Sequence, residues 1–287
     1  MIPTARRLLS ATRPSVYSSR HGRGGIGCNP RVIMALLIIG GTLLYHWVGT
    51  TEYQNEFTGR TQKLAIATPD EEIALGLQSA PQMIRESGGL SRDASGRALV
   101  EQVGSRLIAS TAAKQTPYQF KFHLLADERT VNAFALPGGQ IFITEALFRR
   151  LKSEDQLAGV LGHEMGHVVG RHSNEQMANS RLWSGLAQGV GVLLSDGQNN
   201  TGMHIAQMVA QYKVMKFSRD DESESDALGV RFMLQAGYDP EALIGVMEIL
   251  AEASGGAGRS DFMSSHPSPE NRMEHIREVI ARERARR

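Results

Sequence analysis

The order of apolar and polar positions divides this chain into three parts. Residues 32–48, VIMALLIIGGTLLYHWV, form an unbroken apolar run with no Asp, Glu, Lys or Arg. A run of that length lies at the short end of what crosses a bilayer as a helix. In the middle, YQFKFHLL (118–125) alternates and reads as a half-buried strand. VNAFAL and QIFIT flank Pro137-Gly138-Gly139 and read as a hairpin with a glycine turn. From Ser153 onward the period is helical, with Leu157, Val160, Leu161, Val168 and Val169 on the apolar side of the first such segment.

Punctuation fits these periods. Thr68-Pro69-Asp70-Glu71 carries a capping box and a first-turn proline, and Gly88-Gly89 closes the helix that they open. A second helix follows with Leu99, Val103 and Leu107 on one stripe. Ser153 with Gln156 signals the next start, and helices are expected over 174–194, 203–217 and 219–235, after Asp239-Pro240, and from Ser268-Pro269. The segment LWSGLAQGVGVLL (182–194) is too short to span a membrane. It is expected to pack on the core, the alternative being a lid or a membrane-dipping segment near a functional site.

Charge changes the picture at the N-terminus. No acidic residue occurs before Glu52, whereas Arg6, Arg7, Arg13, Arg20, Arg23 and Arg31 precede or open the apolar run. With Tyr45 and Trp47 near its other end, the run reads as an uncleaved single-pass anchor, its arginines on the cytoplasmic side. A cleaved signal or a buried helix are the competing readings. The expected layout is a basic leader over 1–31, a transmembrane anchor over 32–48, a linker over 49–67 and a catalytic domain over 68–287. The domain is then periplasmic on an inner membrane; an Arg- and Ser-rich, acid-free leader equally suits a mitochondrial inner membrane, with the domain facing the intermembrane space. Overall the net charge is +1, which argues against a nucleic-acid partner. Cys28 is the single cysteine, so a metal site must be built from His, Asp or Glu.

The candidate chemistry lies in LAGVLGHEMGHVVGRHS. His163 and His167, four apart, share one face of a helix and can grip one ion, while Glu164 is turned about 100° away, free to act as a base on bound water. Three protein ligands and an open position make a catalytic zinc site. Gly170 suggests a glycine turn to a third histidine, but the required position is Ser173, and His172 falls one residue short. His172 is therefore read as structural. The other source is a carboxylate on a second helix. In FSRDDESESDALG, Glu222 and Asp226 share a face, so Glu222 can ligate and Asp226 can accept the second N–H of a ligating histidine. The same run also reads as a solvated helix start, and on these residues alone the two readings stand level; Asp220, Asp221 and Glu224 fit the solvated one.

HEMGH followed by S-R-x-x-E-x-x-x-D and A-x-x-G resembles the gluzincin family of membrane-associated zinc metalloendopeptidases, which includes CAAX prenyl, HtpX and BepA-type periplasmic proteases and a mitochondrial inner-membrane stress protease. NAFALPGGQIFIT is similar to that family's N-A-F-A-x-P-G-G element, and SSHPSPENR to its H-P-x-x-x-x-R element. Ser225 stands where the family usually has alanine. The resemblance spans roughly residues 65–285. It implies an α+β, mostly helical zincin-type domain, with a small β-sheet packed on the H-E-x-x-H helix, after one transmembrane helix. It implies one zinc per chain on His163, His167 and Glu222, Asp226 supporting a ligand, and Glu164 as general base. His266 becomes an oxyanion donor or, alternatively, a cap on zinc in a resting state; Arg272 orients its loop. Asn132, Ala133, Phe134 and Ala135 become a substrate-pairing edge strand, or a purely structural one. The implied activity is hydrolysis of peptide bonds in extended or unfolded polypeptides, as quality control of misfolded or damaged envelope and membrane proteins; a chaperone-like binder on the same fold with little peptidase activity is the rival.

Overall fold

The computed structural model describes residues 30–194, 217–255, 262–266 and 271–286. The helix expected over 203–217, except Phe217, and the start expected at Ser268-Pro269 lie outside them. The first helix, α1 (Pro30–Gly49), has 20 residues and a mean hydropathy of 1.9 over its most apolar window, and it is long and apolar enough to cross a membrane. It extends the expected run at both ends. Its side chains are almost all exposed, Leu37 and Leu44 among them.

Residues 49–67, expected as a linker, carry instead an antiparallel hairpin of β1 (Thr51–Gln54) and β2 (Thr61–Leu64). Its buried amides explain the order. Asn55 Nδ2 donates to the Val169 carbonyl at 2.9 Å, and Gln62 Nε2 to the Gly170 carbonyl at 2.8 Å. Both carbonyls end the helix that carries HEMGH, where no intrahelical donor remains.

Helix α2 (Pro69–Glu86) starts with the Thr68–Glu71 capping box and stops at Gly88 and Gly89, both at positive φ. In α3 (Ala94–Ser110), Val100, Val103 and Leu107 are fully buried. A three-stranded sheet follows, in the order β3–β5–β4, from β3 (Lys121–Leu125), β4 (Ala133–Leu136) and β5 (Gln140–Thr144). The hairpin β4–β5 is antiparallel as expected, and β3 runs parallel to β5. The alternation in β3 does not produce an exposed face: everything after Lys121 is buried, His123 stacking on Phe142. After the short α4 (Glu145–Phe148), helix α5 (Glu154–Val169) begins with Ser153 accepting from the Gln156 N–H. The Gln156 side chain turns to the Lys152 N–H instead of completing a box. From Leu157 to Val169 every residue of α5 is buried, under the sheet and against α7 (Arg219–Ala236).

Glycine brings α5 and α7 together. A Cβ on Gly166, the glycine of HEMGH, would stand 2.9 Å from Ser225 Cα, and one on Gly229 would stand 3.1 Å from the His163 nitrogen. The two backbones therefore touch, and side chains one turn apart on each helix face a common point. Helices α8 (Ala242–Gly255), α9 (Phe262–Ser265) and α10 (Arg272–Ala285) close the core from the other side, α8 opened by Asp239, which accepts from the Glu241 N–H.

Helix α6 (His172–Leu194) departs from expectation. Its first turn is tied to the domain, through Asn174 to Ile66 and Glu175 to Gln62. Its apolar half packs along α1, not on the domain core.

Candidate metal centre

Four side chains from three places in the chain converge. His163 and His167 come from α5, Glu222 from the first turn of α7, and His266 from the residue after α9; all four are buried, and one ligand atom from each lies within 4.8 Å of the others. The Nε2 atoms of His163 and His167 are 3.1 Å apart, and His266 Nδ1 is 3.4 and 3.2 Å from them. Glu222 Oε1 lies 3.4 Å from His167 Nε2 and 2.9 Å from His266 Nδ1, and its Oε2 lies 3.5 Å from His163 Nε2. Ligands at about 2.0–2.1 Å from a tetrahedral zinc stand about 3.3–3.4 Å from one another. The donor set thus fits such an ion in size as well as in kind.

The outer hydrogen bonds fix which ring nitrogens carry protons. His163 Nδ1 donates to Asp226 Oδ1 at 2.9 Å. In its neutral form His172 donates from Nε2 to Glu224 Oε2 at 2.6 Å and keeps Nδ1 as an acceptor. His167 Nδ1, 2.9 Å away, then donates to it. Both Nε2 atoms present lone pairs to each other and to a carboxylate, and the ring nitrogen among them left to carry a proton is His266 Nδ1, 2.9 Å from Glu222 Oε1. Buried acceptors that outnumber their donors repel, and a bound cation relieves the arrangement. Burial would lower His163, but the Asp226 hydrogen bond and the Glu222 charge outweigh it and raise its proton affinity; a metal competes for that same lone pair. Burial holds His167 well below the usual histidine range, which keeps it neutral and ready to ligate. Glu222 is held well below the ordinary carboxylate range: burial opposes this, and the surrounding imidazoles overcome it.

Arg272 sits behind the cluster, 3 % exposed. It grips Asp226 with two hydrogen bonds of 2.8 Å and places Nη1 3.0 Å from Glu222 Oε2. It was expected to orient a loop; it faces the carboxylates of Glu222 and Asp226. Asp226 is buried, which alone would raise its pKa, yet Arg272 and His163 hold it below the ordinary value. Glu164 is buried with both carboxylate oxygens free of hydrogen bonds from the described residues, and burial pushes its pKa up. The Nε2 of His266 lies 3.7 Å from its Oε1.

One expectation needs correction. Glu224 and Asp221, read as solvated, are engaged: Glu224 anchors His172 and Asp221 pairs with Arg60 at 2.6 Å while closing the capping box of Ser218. His172, read as structural, lies outside the converging group and links His167 to Glu224, and the Ser225 hydroxyl lies 3.2 Å from its Nδ1. The signal available in the sequence was a histidine five residues after a ligand and a carboxylate two after another. Strand β4 lies at the sheet edge, its other side unpaired by any described strand, with Ala133 buried and Phe134 and Ala135 partly so; Asn132 precedes it with its Oδ1 buried and lacking a described partner.

Residues 95–280 match the model of a family described as Peptidase family M48. The chain is 29% identical over 215 residues to the beta-barrel assembly-enhancing protease of Yersinia pestis, covering 72% of this chain and 43% of that one. It is 33% identical over 190 residues to the mitochondrial metalloendopeptidase OMA1 of Schizosaccharomyces pombe, covering 66% and 54%. It is 30% identical over 166 residues to the metalloprotease YcaL of Escherichia coli K12, covering 58% and 63%. The chain thus spans about half the length of the first two relatives.

Proposed function

This chain belongs to peptidase family M48, and on that premise we propose that it is a membrane-anchored zinc metalloendopeptidase that cuts extended segments of misfolded or damaged membrane and envelope proteins. The observation that carries this reading is the convergence of two imidazole nitrogens and the Glu222 carboxylate on one buried point, at the spacing that a tetrahedral ion requires. His163, His167 and Glu222 would hold the ion. When bound, zinc supplies Lewis acidity toward a scissile carbonyl and lowers the pKa of a water beside it.

The remaining work falls to the chain. Glu164, one residue from His163 on the same helix, takes the water's proton on a carboxylate that no described donor ties down, and passes it to the leaving amine. Asp226 and Arg272 fix the His163 ring and the Glu222 carboxylate. The open edge of β4, Ala133–Leu136, offers main-chain groups to an extended substrate, so recognition reads backbone more than sequence. His266 Nδ1 fills the fourth corner of the donor set. A site closed by four protein donors has no place for the reacting water. The resting-cap role thus suits His266 better than that of an oxyanion donor, and turnover requires its ring to withdraw. The anchor is α1, with the domain on the periplasmic face of an inner membrane or, in the mitochondrial version, facing the intermembrane space.

Metal content tests the ligand set. The full chain, purified in detergent, is expected to carry about one zinc and to degrade unfolded casein in a chelator-sensitive way. Glu222→Ala should lower the stoichiometry; unchanged zinc would mean that another group is the third ligand. His172→Phe keeps the ring's bulk but removes the acceptor for His167. It should weaken zinc binding about 10–100-fold in competition with a chelator, and unaltered affinity would return His172 to a packing role.

A further inference from the structure

The two apolar helices of this chain lie side by side in an ordered way. Ala178, Arg181 and Leu182 of α6 meet Tyr45, His46 and Gly49 of α1, and Thr50 just after it, around a small gap that Thr42 also lines. One turn on, a Cβ added to Gly185 would stand 2.3 Å from Thr42 Oγ1. A further turn on, a Cβ on Gly189 would stand 2.3 Å from Ile39 Cγ1 and 3.4 Å from the Ala35 carbonyl. Moving forward on α6 from Gly185 to Gly189 thus shifts the contact backward on α1 from Thr42 to Ile39 and Ala35, so the helices run antiparallel. Small residues four apart that let two backbones touch are the way helices pack in lipid, where burying apolar surface gives no drive of its own.

The outward faces are apolar too. Trp183 and Val190 of α6 are each 42% exposed, and Leu37 of α1 is 66% exposed. From Leu182 to the end of α6 the sequence contains no charged residue, and Arg181 with Trp183 marks the boundary as basic and aromatic side chains do at an interface. In water this two-helix surface would be a large exposed apolar patch.

We propose that α6, from Leu182 onward, is embedded in the lipid bilayer alongside α1, as the second arm of a helical hairpin. This rests on the reading of α1 as the anchor. The pairing places Val190 level with Leu37, about 18 Å of helix from the domain end of α1 at Gly49, and so in the hydrocarbon interior. A segment this short is accommodated by local thinning of the bilayer at modest cost. The consequence for the site is positional. His172, hydrogen-bonded to the ligand His167, and Leu182, where lipid contact begins, stand ten residues apart on one helix, about 15 Å. The candidate cleft is thereby held near the membrane surface, where polypeptide emerging from the bilayer is presented.

The test uses the full chain with Cys28→Ser, carrying a single cysteine as Val190→Cys, Leu37→Cys or Lys114→Cys, each labelled with an environment-sensitive fluorophore and reconstituted into phosphatidylcholine vesicles. All three native side chains are exposed, so labelling disturbs no packing. The expected result is that the Val190 and Leu37 probes are quenched to the same extent by lipids brominated in mid-chain and are spared by aqueous iodide, whereas the Lys114 probe shows the reverse. A Val190 probe quenched by iodide beside a Leu37 probe quenched by bromolipid would overturn the embedding of α6 and leave the anchor standing. Iodide quenching of both would remove the anchor and the proposal together.

Discussion

Replacing Glu164 by Gln is expected to leave bound zinc unchanged and to reduce turnover of an unfolded substrate by about 10²–10⁴-fold. The reason lies in what Glu164 does not do. It is buried on the same helix as His163 and His167, yet it is outside the group of converging donor atoms. Neither of its oxygens is hydrogen-bonded by a described residue. A glutamine matches its shape but cannot accept and release a proton. The same substitution makes a second, opposite prediction for stability. A buried carboxylate without donors disfavours the folded state, and a neutral amide relieves part of that cost. Glu164→Gln should therefore melt no lower than the native protein, and higher if the amide finds a partner. Lost activity with retained zinc and retained stability identifies a proton carrier; lost zinc would make Glu164 a ligand, and unimpaired turnover would end the proposed mechanism.

Much of this site can be read from spacing because a helix imposes it. His163 and His167 are forced onto one face by four residues of separation, and Glu164 is forced off it. Glu222 and Asp226 obey the same rule on α7, but spacing alone does not separate a ligand from a solvated helix start, since DDESESD suits both. What decides is the packing of Gly166 on Ser225 and of Gly229 on His163, a contact between distant segments. The Glu224–His172–His167 chain stays hidden for a related reason: a charged run reads as solvated until something buries it, and here Arg60 on the β1–β2 hairpin covers it, pairing with Asp221 and Glu224. That hairpin is itself illegible. Its strands have four residues each, and it is held by Asn55 and Gln62, polar side chains whose burial no periodicity announces. In β3 the alternation is real, but both faces are covered, so period 2 gives the element and not its exposure. For α6 the period gives a helix correctly; it cannot name the partner. Gly185 and Gly189 were the available hint, and they point to α1.

Arg272→Met is expected to destabilise the fold by about 3–5 kcal/mol, the cost of stripping one member from a buried ion pair. For a domain of this size that is a fall in Tm on the order of 10 °C. Arg272 makes two hydrogen bonds to Asp226 and an ion pair with Glu222, all in a site closed to solvent. Methionine fills the volume but leaves two carboxylates facing each other's field without their cation. Their simplest relief is protonation, and a protonated Asp226 no longer holds the His163 N–H as strongly, while a protonated Glu222 no longer ligates. Zinc affinity should therefore fall together with stability, and added zinc should restore part of the lost Tm, because the ion supplies positive charge near Glu222 that the guanidinium no longer provides. Arg272→Lys separates charge from geometry. A single ammonium restores a cation but not the two-pronged grip on Asp226, so it should recover part of the stability and leave zinc affinity below the native value. Differential scanning calorimetry with and without zinc, beside a chelator competition, reads both quantities. A lysine variant indistinguishable from native would show that only the charge matters. A methionine variant with native Tm and native affinity would show that the carboxylates of α7 do not depend on Arg272 at all.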